Sequence, residues 1–282
     1  GVLNTAAGAN VWDDDWWTTV ASGPALTDMT FHPMARLQRL VAVGDKVSGV
    51  AVIHTIDSAD VVSSSRLTFP IGFTVRGIYS SSNRFWIALQ SDTSANAKII
   101  EWDGSSLTYN NEYELVGTCP LVGWIIQEIP YFITELGYIF RYNGGGFDVV
   151  QSFNLDEQRQ YFSTSITSNA TILPTGAFVD GDIVYINVGI PMIQPDQSAT
   201  ILWQGVRRAR SGIWIFNIKN RNLYHHMAFG EHAAAGTDID YGHSLLQLPG
   251  TIIKSNDNQR IVASAGVYTG GAGWKTGTQS GI

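Results

Sequence analysis

With one cysteine, Cys119, in 282 residues, the chain cannot close a disulfide on itself. Cys119 precedes Pro120 in an apolar run, which reads as a buried thiol rather than a nucleophile. The lack of a second cysteine fits assembly in a reducing cytosol. Charge is scarce: Asp, Glu, Lys and Arg make up 15% of residues, with a net charge of −7. An acidic chain of this kind lacks the electrostatic footprint of a phosphate binder, so no nucleic-acid-specific site is expected. The one basic cluster, Arg207, Arg208 and Arg210, is too small to reverse that and reads as a loop or a contact to a neighbouring subunit. No stretch approaches the ~20 apolar residues of a membrane-spanning helix. The sequence starts at Gly1 without an initiator Met, and with neither the basic nor the apolar region of a signal peptide. No long run follows the i, i+3, i+4, i+7 spacing of an amphipathic helix, which argues against a helical bundle.

What the chain does have is aromatic residues and glycine: Phe, Trp and Tyr supply 11%, and Gly occurs 29 times. Short apolar runs punctuated by glycine are the composition of a turn-rich all-β protein. A shared grammar repeats along it: an apolar strand, a turn, then a second strand ending in an aromatic followed by Asp or Asn. Arg84–Ala88 followed by Lys98–Gly104 is one instance, and Tyr131–Thr134 followed by Tyr138–Gly144 is a second. Ile183–Asn187 followed by Gly212–Asn217 is a third, and Leu40–Val43 followed by Val50–Asp57 a matching unit upstream. Trp102 and Tyr142 stand 40 residues apart, and Ile56 and Trp102 46 apart. The 74 residues from Tyr142 to Phe216 contain an inserted loop at 189–211. A period of ~40–50 residues with four short strands per unit is the spacing of a β-propeller. About five units are expected, near 26–62, 67–115, 116–154, 170–228 and 243–282, with 1–25 as an N-terminal arm or ring-closing strand. The last unit stops where another strand is expected, as in a fragment of a longer polypeptide. A sandwich gives no reason for the recurring turn, and a solenoid needs shorter, stricter repeats.

Candidate chemistry is thin. A glycosidase needs two carboxyls facing one another across ~5–10 Å, and Asp28, Glu128 and Asp180 are the candidates by position. Yet Glu128 precedes Ile129-Pro130, Asp180-Gly181-Asp182 is a turn sequence, and no Ser-x-Asp-x-Gly-x-Thr-Trp box occurs. No enzyme is expected. His225, His226, Glu231, His232, Asp238, Asp240 and His243 gather metal-ligand types, but their spacing fits no closed site and His225 and His226 point to opposite faces of a strand. Asp13-Asp14-Asp15 reads as a solvated turn. No metal and no cofactor are therefore expected. Trp86, Trp102, Trp124 and Trp214 sit within apolar runs as packing residues, whereas Trp203 lies in the insertion.

The segments Phe69–Ile78, Arg84–Ala88 and Ile99–Gly104, then Thr134–Phe147, then Ser211–Phe216, resemble successive blades of the propellers in tailed-phage virion proteins. That resemblance spans roughly residues 26–268 and implies a structural component of a virus particle, in a neck, tail nozzle or fibre. It implies other virion proteins as partners, a homo-oligomeric ring and location in the virion. Trp203, Arg207, Arg208 and Arg210 are the expected interface residues, because Trp and Arg are frequent interface anchors. A carbohydrate-binding propeller is the alternative, with a propeller glycoside hydrolase ranked behind it.

Overall fold

The computed structural model describes residues 2–4, 11–13, 26, 32–94, 96–116, 118, 120–153, 173–189, 212–228, 247–254, 261–268 and 274–275. Every described element is a β-strand. The first two, β1 (Val2–Asn4) and β2 (Val11–Asp13), form a hairpin with Val2 opposite Asp13. This hairpin is the described part of the expected N-terminal arm.

Four four-stranded antiparallel sheets follow, each a meander in chain order. The first comprises β3 (Met34–Leu37), β4 (Leu40–Val47), β5 (Val50–Ile56) and β6 (Val62–Thr68). The second comprises β7 (Phe73–Ser80), β8 (Phe85–Ser91), β9 (Ala97–Trp102) and β10 (Asn111–Leu115). The third is β11 (Pro120–Ile126), β12 (Ile129–Thr134), β13 (Tyr138–Tyr142) and β14 (Phe147–Ser152). The fourth is β15 (Leu173–Asp180), β16 (Ile183–Gly189), β17 (Gly212–Asn217) and β18 (Asn222–Ala228). A fifth sheet holds β19 (Gln247–Lys254), β20 (Ile261–Tyr268) and β21 (Trp274–Lys275).

Strand composition follows position within each meander. In the second sheet, Phe85 to Leu89 of β8 are all buried, which is why that strand reads as an unbroken apolar run. The outermost strand β10 exposes Asn111, Glu112 and Glu114. Charges on an edge strand discourage pairing with another chain.

The chain divides into two compact units, 1–120 with 127–130, and 121–126 with 131–282. In the first unit, Ala42, Ala51, Ile53 and Leu67 of the first sheet pack into one core with Val75, Phe85, Ile87, Ile100 and Trp102 of the second. The sheets approach so closely at Gly44 that a Cβ there would lie 2.8 Å from Val75 Cγ1. Trp102 is fully buried and its ring stacks on Phe85 at 5.7 Å. Truncating a buried ring of this size costs about 3–5 kcal/mol, so Trp102→Ala strikes this core hardest. In the second unit Trp124, Tyr131 and Phe216 form the corresponding cluster, with Trp124 stacked on Tyr131 at 5.9 Å and tilted against Phe216 at 6.4 Å.

Two boundaries differ from the sequence expectation. The first sheet extends to Thr68 rather than ending near 62. Ser63, Ser64 and Ser65 carry no apolar signal, yet they belong to β6, which bulges opposite His54. Ser65 adopts φ 48° there, and its amide donates to His54 Nδ1 at 2.9 Å. Gly189 closes β16 rather than opening the inserted loop, pairing with Leu173.

The fourth sheet also fixes where its long connections attach. In a meander, the start of β15, the end of β16, the start of β17 and the end of β18 all lie at one end of the sheet. The segments 154–172, 190–211 and 229–246 join the sheet at those four points. The opposite end carries only the short turns at 181–182 and 218–221.

Candidate functional site

The recurring Asp or Asn at the end of the third strand has a definite structural task. Asp57 Oδ1 accepts the amides of Ala59 at 2.8 Å and Val61 at 3.1 Å. Asp103 Oδ1 accepts those of Ser105 at 2.7 Å and Ser106 at 2.8 Å, while Oδ2 accepts the Ser106 hydroxyl at 2.6 Å. Asn143 Oδ1 accepts the amides of Gly145 and Gly146, each at 2.9 Å. Asn217 Oδ1 accepts those of Lys219 at 3.0 Å and Asn220 at 3.3 Å. Each is an Asx turn that carries the chain into the outermost strand, at the same place in four sheets. Trp102, Tyr142 and Phe216 accordingly occupy equivalent ends of β9, β13 and β17. Burial opposes ionisation of Asp103, but hydrogen bonds from Ser106 and Ser105 outweigh it and hold the carboxyl well below its usual range.

Of the three carboxylates weighed as glycosidase candidates, Glu128 and Asp180 lie at turns. Asp28 lies outside the described residues. Glu128 sits in the two-residue turn between β11 and β12, where it and Gln127 both adopt positive φ, 66° and 48°. Its carboxylate accepts the Ser82 amide at 2.6 Å and the Ser82 hydroxyl at 2.8 Å, and these bonds lower its pKa. Gln38, from the β3–β4 turn, donates to the Ser82 carbonyl at 3.4 Å, so Ser82 ties three turns of the first unit together. Asp180 ends β15 at a turn of the second unit, exposed, beside Gly181 at φ 61°.

Two buried acidic groups were not singled out by the sequence. Glu101, 3% exposed, pairs with Arg84 and accepts from Asn111 Nδ2 at 2.9 Å and Tyr113 Oη at 3.0 Å. Asp45, fully buried, lies 3.3 Å from His54 Nε2 and 3.4 Å from His32 Nδ1. Because His54 Nδ1 accepts the Ser65 amide, its ring proton belongs on Nε2 and is aimed at Asp45. With both groups closed off from solvent, this arrangement orients a buried imidazole inside the first sheet; it offers a substrate no approach. The signal that could have found these groups is an acidic residue at an alternating position inside an apolar strand.

The histidine cluster divides. His225 stands against Trp214 at 5.2 Å and His226 against Tyr185 at 6.4 Å, on opposite faces of the fourth sheet, as Trp214 and Tyr185 themselves are by the β16–β17 register. Glu231, His232, Asp238, Asp240 and His243 lie outside the described residues, as do Asp14, Asp15 and Cys119. No group of three His, Cys, Asp or Glu side chains comes together among the described residues. No described helix is long and apolar enough to cross a membrane.

Trp86, Trp102 and Trp124 are buried, so they form no exposed aromatic platform. Trp203, Arg207, Arg208 and Arg210 lie outside the described residues, within the 190–211 connection. In the first unit, Val47 is exposed at the end of β4, Ile71 and Val116 on connections between sheets, and Val61 and Leu107 on third-to-fourth-strand connections.

No family model and no curated protein matches the chain. Solved structures do. The β-propeller domain of Cps50 (Swd1) from Myceliophteria thermophila matches with a TM-score of 0.50 at 11% identity, over 88% of this chain and 69% of that one. The extracellular domain of a hybrid two component system from B. thetaiotaomicron matches with a TM-score of 0.48 at 11% identity, over 86% of this chain. This chain spans 27% of that structure's length. An exo-beta-1,3-galactanase from Phanerochaete chrysosporium, solved with beta-1,3-galactotriose, matches with a TM-score of 0.45 at 9% identity, over 86% of this chain and 59% of that one. At such identities the likeness concerns the fold alone.

Proposed function

We propose that this all-β propeller of successive antiparallel meanders serves as a structural component of a tailed-phage virion: a rigid platform in a neck, tail nozzle or fibre that acts through protein–protein assembly, without catalysis or cofactor. One observation carries the assembly reading. Three of the four longest connections between strands attach at a single end of the fourth sheet, whereas the strands and short turns are occupied with holding the sheets together. Long connections on a rigid scaffold are where binding residues concentrate. The connection 190–211 contains Trp203, Arg207, Arg208 and Arg210, residue types that anchor interfaces. The placement in a phage particle rests on the resemblance of residues 69–104, 134–147 and 211–216 to virion propeller blades. Its partners on this reading are other virion proteins and further copies of itself in a ring.

Against a hydrolase stand the turn positions of Glu128 and Asp180. Against a sugar-binding surface built from repeated tryptophans stands the burial of Trp86, Trp102 and Trp124. The test is incorporation into particles. Trp203→Ala with Arg208→Ala is expected to leave the far-ultraviolet circular dichroism unchanged and to cut incorporation at least tenfold, since two anchors together supply more than ~1.4 kcal/mol. A folded double variant incorporated like the wild type contradicts the proposal, as does turnover of chromogenic glycosides by the purified chain.

A further inference from the structure

Asn143 is the one asparagine of the sequence that is followed by glycine. It stands in the turn between β13 and β14, where Asn143, Gly144 and Gly145 are exposed. Its side-chain amide is held at both ends. Oδ1 accepts the amides of Gly145 and Gly146, each at 2.9 Å, and Nδ2 donates to Asp148 Oδ2 at 2.8 Å. The Asn143 backbone amide donates to the Gly146 carbonyl at 3.0 Å, and the Tyr142 hydroxyl donates to the Gly144 carbonyl at 2.9 Å. The backbone nitrogen of Gly144 donates no hydrogen bond among the described residues. Asn217 makes the same Asx turn in the fourth sheet, but the residue after it is Ile218, whose amide is committed to the Asp182 carbonyl at 3.0 Å. Two asparagine amides thus occupy like positions, and one of them stands beside an uncommitted backbone nitrogen.

We propose that Asn143 is a site of spontaneous deamidation, a slow intramolecular reaction that its turn promotes. The Gly144 nitrogen gives up its proton and bonds to Asn143 Cγ. The Cγ–Nδ2 bond breaks, and Nδ2 leaves as ammonia carrying that proton, which closes a succinimide ring. Water opens the ring at either carbonyl and leaves an aspartyl or an isoaspartyl residue at position 143. The net change is amide plus water to carboxylate plus ammonium, with no oxidant, reductant or cofactor. Charge develops at two atoms on the way, and the turn faces both. Oδ1 becomes an oxyanion, which the two backbone N–H groups already aimed at it hold more strongly than they hold a neutral carbonyl oxygen. Nδ2 takes on ammonium character as it departs, which the Asp148 carboxylate beside it stabilises. Gly144 brings its nitrogen without a side chain in the way, and the glycines after it let the main chain adjust. At Asn217 the β-branched Ile218 crowds the same approach, and its nitrogen would first have to release Asp182. The acid formed fits the turn but not its neighbour. Asp57 and Asp103 make the same turn with a carboxylate, whereas a carboxylate at position 143 faces Asp148 where an N–H donor stood, and like charges so close repel. Deamidation therefore weakens the β13–β14 hairpin as the protein ages.

Peptide mapping by mass spectrometry of the full chain, aged at mildly alkaline pH and scored for isoaspartate at each asparagine, tests this. Conversion at Asn143 is expected to outrun that at Asn217 by about tenfold or more, less than a buried oxyanion donor achieves because this turn is open to water. Isoaspartate is expected at position 143, since ring opening at the main-chain carbonyl is its source. The folded chain is expected to convert faster than the same chain in urea, where the turn is lost. Gly144→Ala and Asp148→Asn are each expected to slow the reaction severalfold. Asp148→Asn is the second variant should Gly144→Ala, at φ 99°, fail to fold. A rate at Asn143 no greater than at Asn217, a product free of isoaspartate, or a folded chain slower than the unfolded one overturns the proposal. So does a folded Asp148→Asn variant that converts at the wild-type rate.

Discussion

Replacing Asp103 by Ala removes an acceptor that holds three donors: the Ser105 amide at 2.7 Å, the Ser106 amide at 2.8 Å and the Ser106 hydroxyl at 2.6 Å. In a dry interior each hydrogen bond to a charged group would be worth about 1.5–3 kcal/mol. Asp103 is only half-buried, so the released donors recover water, and the loss should resemble that of a helix N-cap, about 1–2 kcal/mol. The damage extends one step further, because the Ser106 carbonyl accepts the Trp102 indole N–H at 2.9 Å. Asp103→Asn should cost less than half as much, since Asn143 and Asn217 make the same turn with an amide oxygen. The two replacements also separate by pH. The folded carboxyl of Asp103 is held below the ordinary value of an unfolded Asp, about 3.9. Its contribution is therefore complete above that value and is lost as pH falls through the depressed one. The stability gap between wild type and Asp103→Asn should narrow on acidification below about pH 4. Denaturant unfolding followed by tryptophan fluorescence measures it. Equal losses in the Ala and Asn variants, or a gap unchanged by acid, would refute the reasoning.

Gly212→Ala should be far more damaging than a surface change, because φ is 149° and the added Cβ would lie 1.9 Å from the Met227 carbonyl oxygen. A loss of more than about 3 kcal/mol, or insoluble expression, is expected, and a soluble protein melting like the wild type would contradict it. Gln127→Asn should stabilise the β11–β12 turn by up to about 1 kcal/mol, since Asn tolerates the left-handed conformation better, which thermal unfolding reads as a rise of a few degrees. Glu128→Gly relieves the same kind of strain but severs the bonds to Ser82, so it should gain less than Gln127→Asn in the same assay; a larger gain would mean that the Ser82 bonds contribute nothing.

Much of the sheet order was legible because the Asx turn leaves a local mark. Ile56-Asp57, Trp102-Asp103, Tyr142-Asn143 and Phe216-Asn217 each join a strand end to a residue that makes its own turn, and that information lies within five residues. β6 was not legible past Val62 because its three serines are held by a bulge and by His54, a partner eleven residues from Ser65. Glu101 and Asp45 read as ordinary polar positions; only pairing across strands brings Arg84, Asn111 and Tyr113 to one, and His54 to the other. For Trp203, Arg207, Arg208 and Arg210, the expectation of an interface rests on residue type alone. The structure contributes the place where their segment attaches, through the ends of β16 and β17.

The proposed assembly role can be tested most directly on particles. Tailed particles purified from a lysate that contains this chain should be labelled with gold-conjugated antibody against it and imaged by negative-stain electron microscopy. The account predicts label at one repeated location, a neck, tail tip or fibre, and recovery of the chain from washed particles in several copies. Unlabelled particles, with all of the chain recovered free in the supernatant, would contradict it.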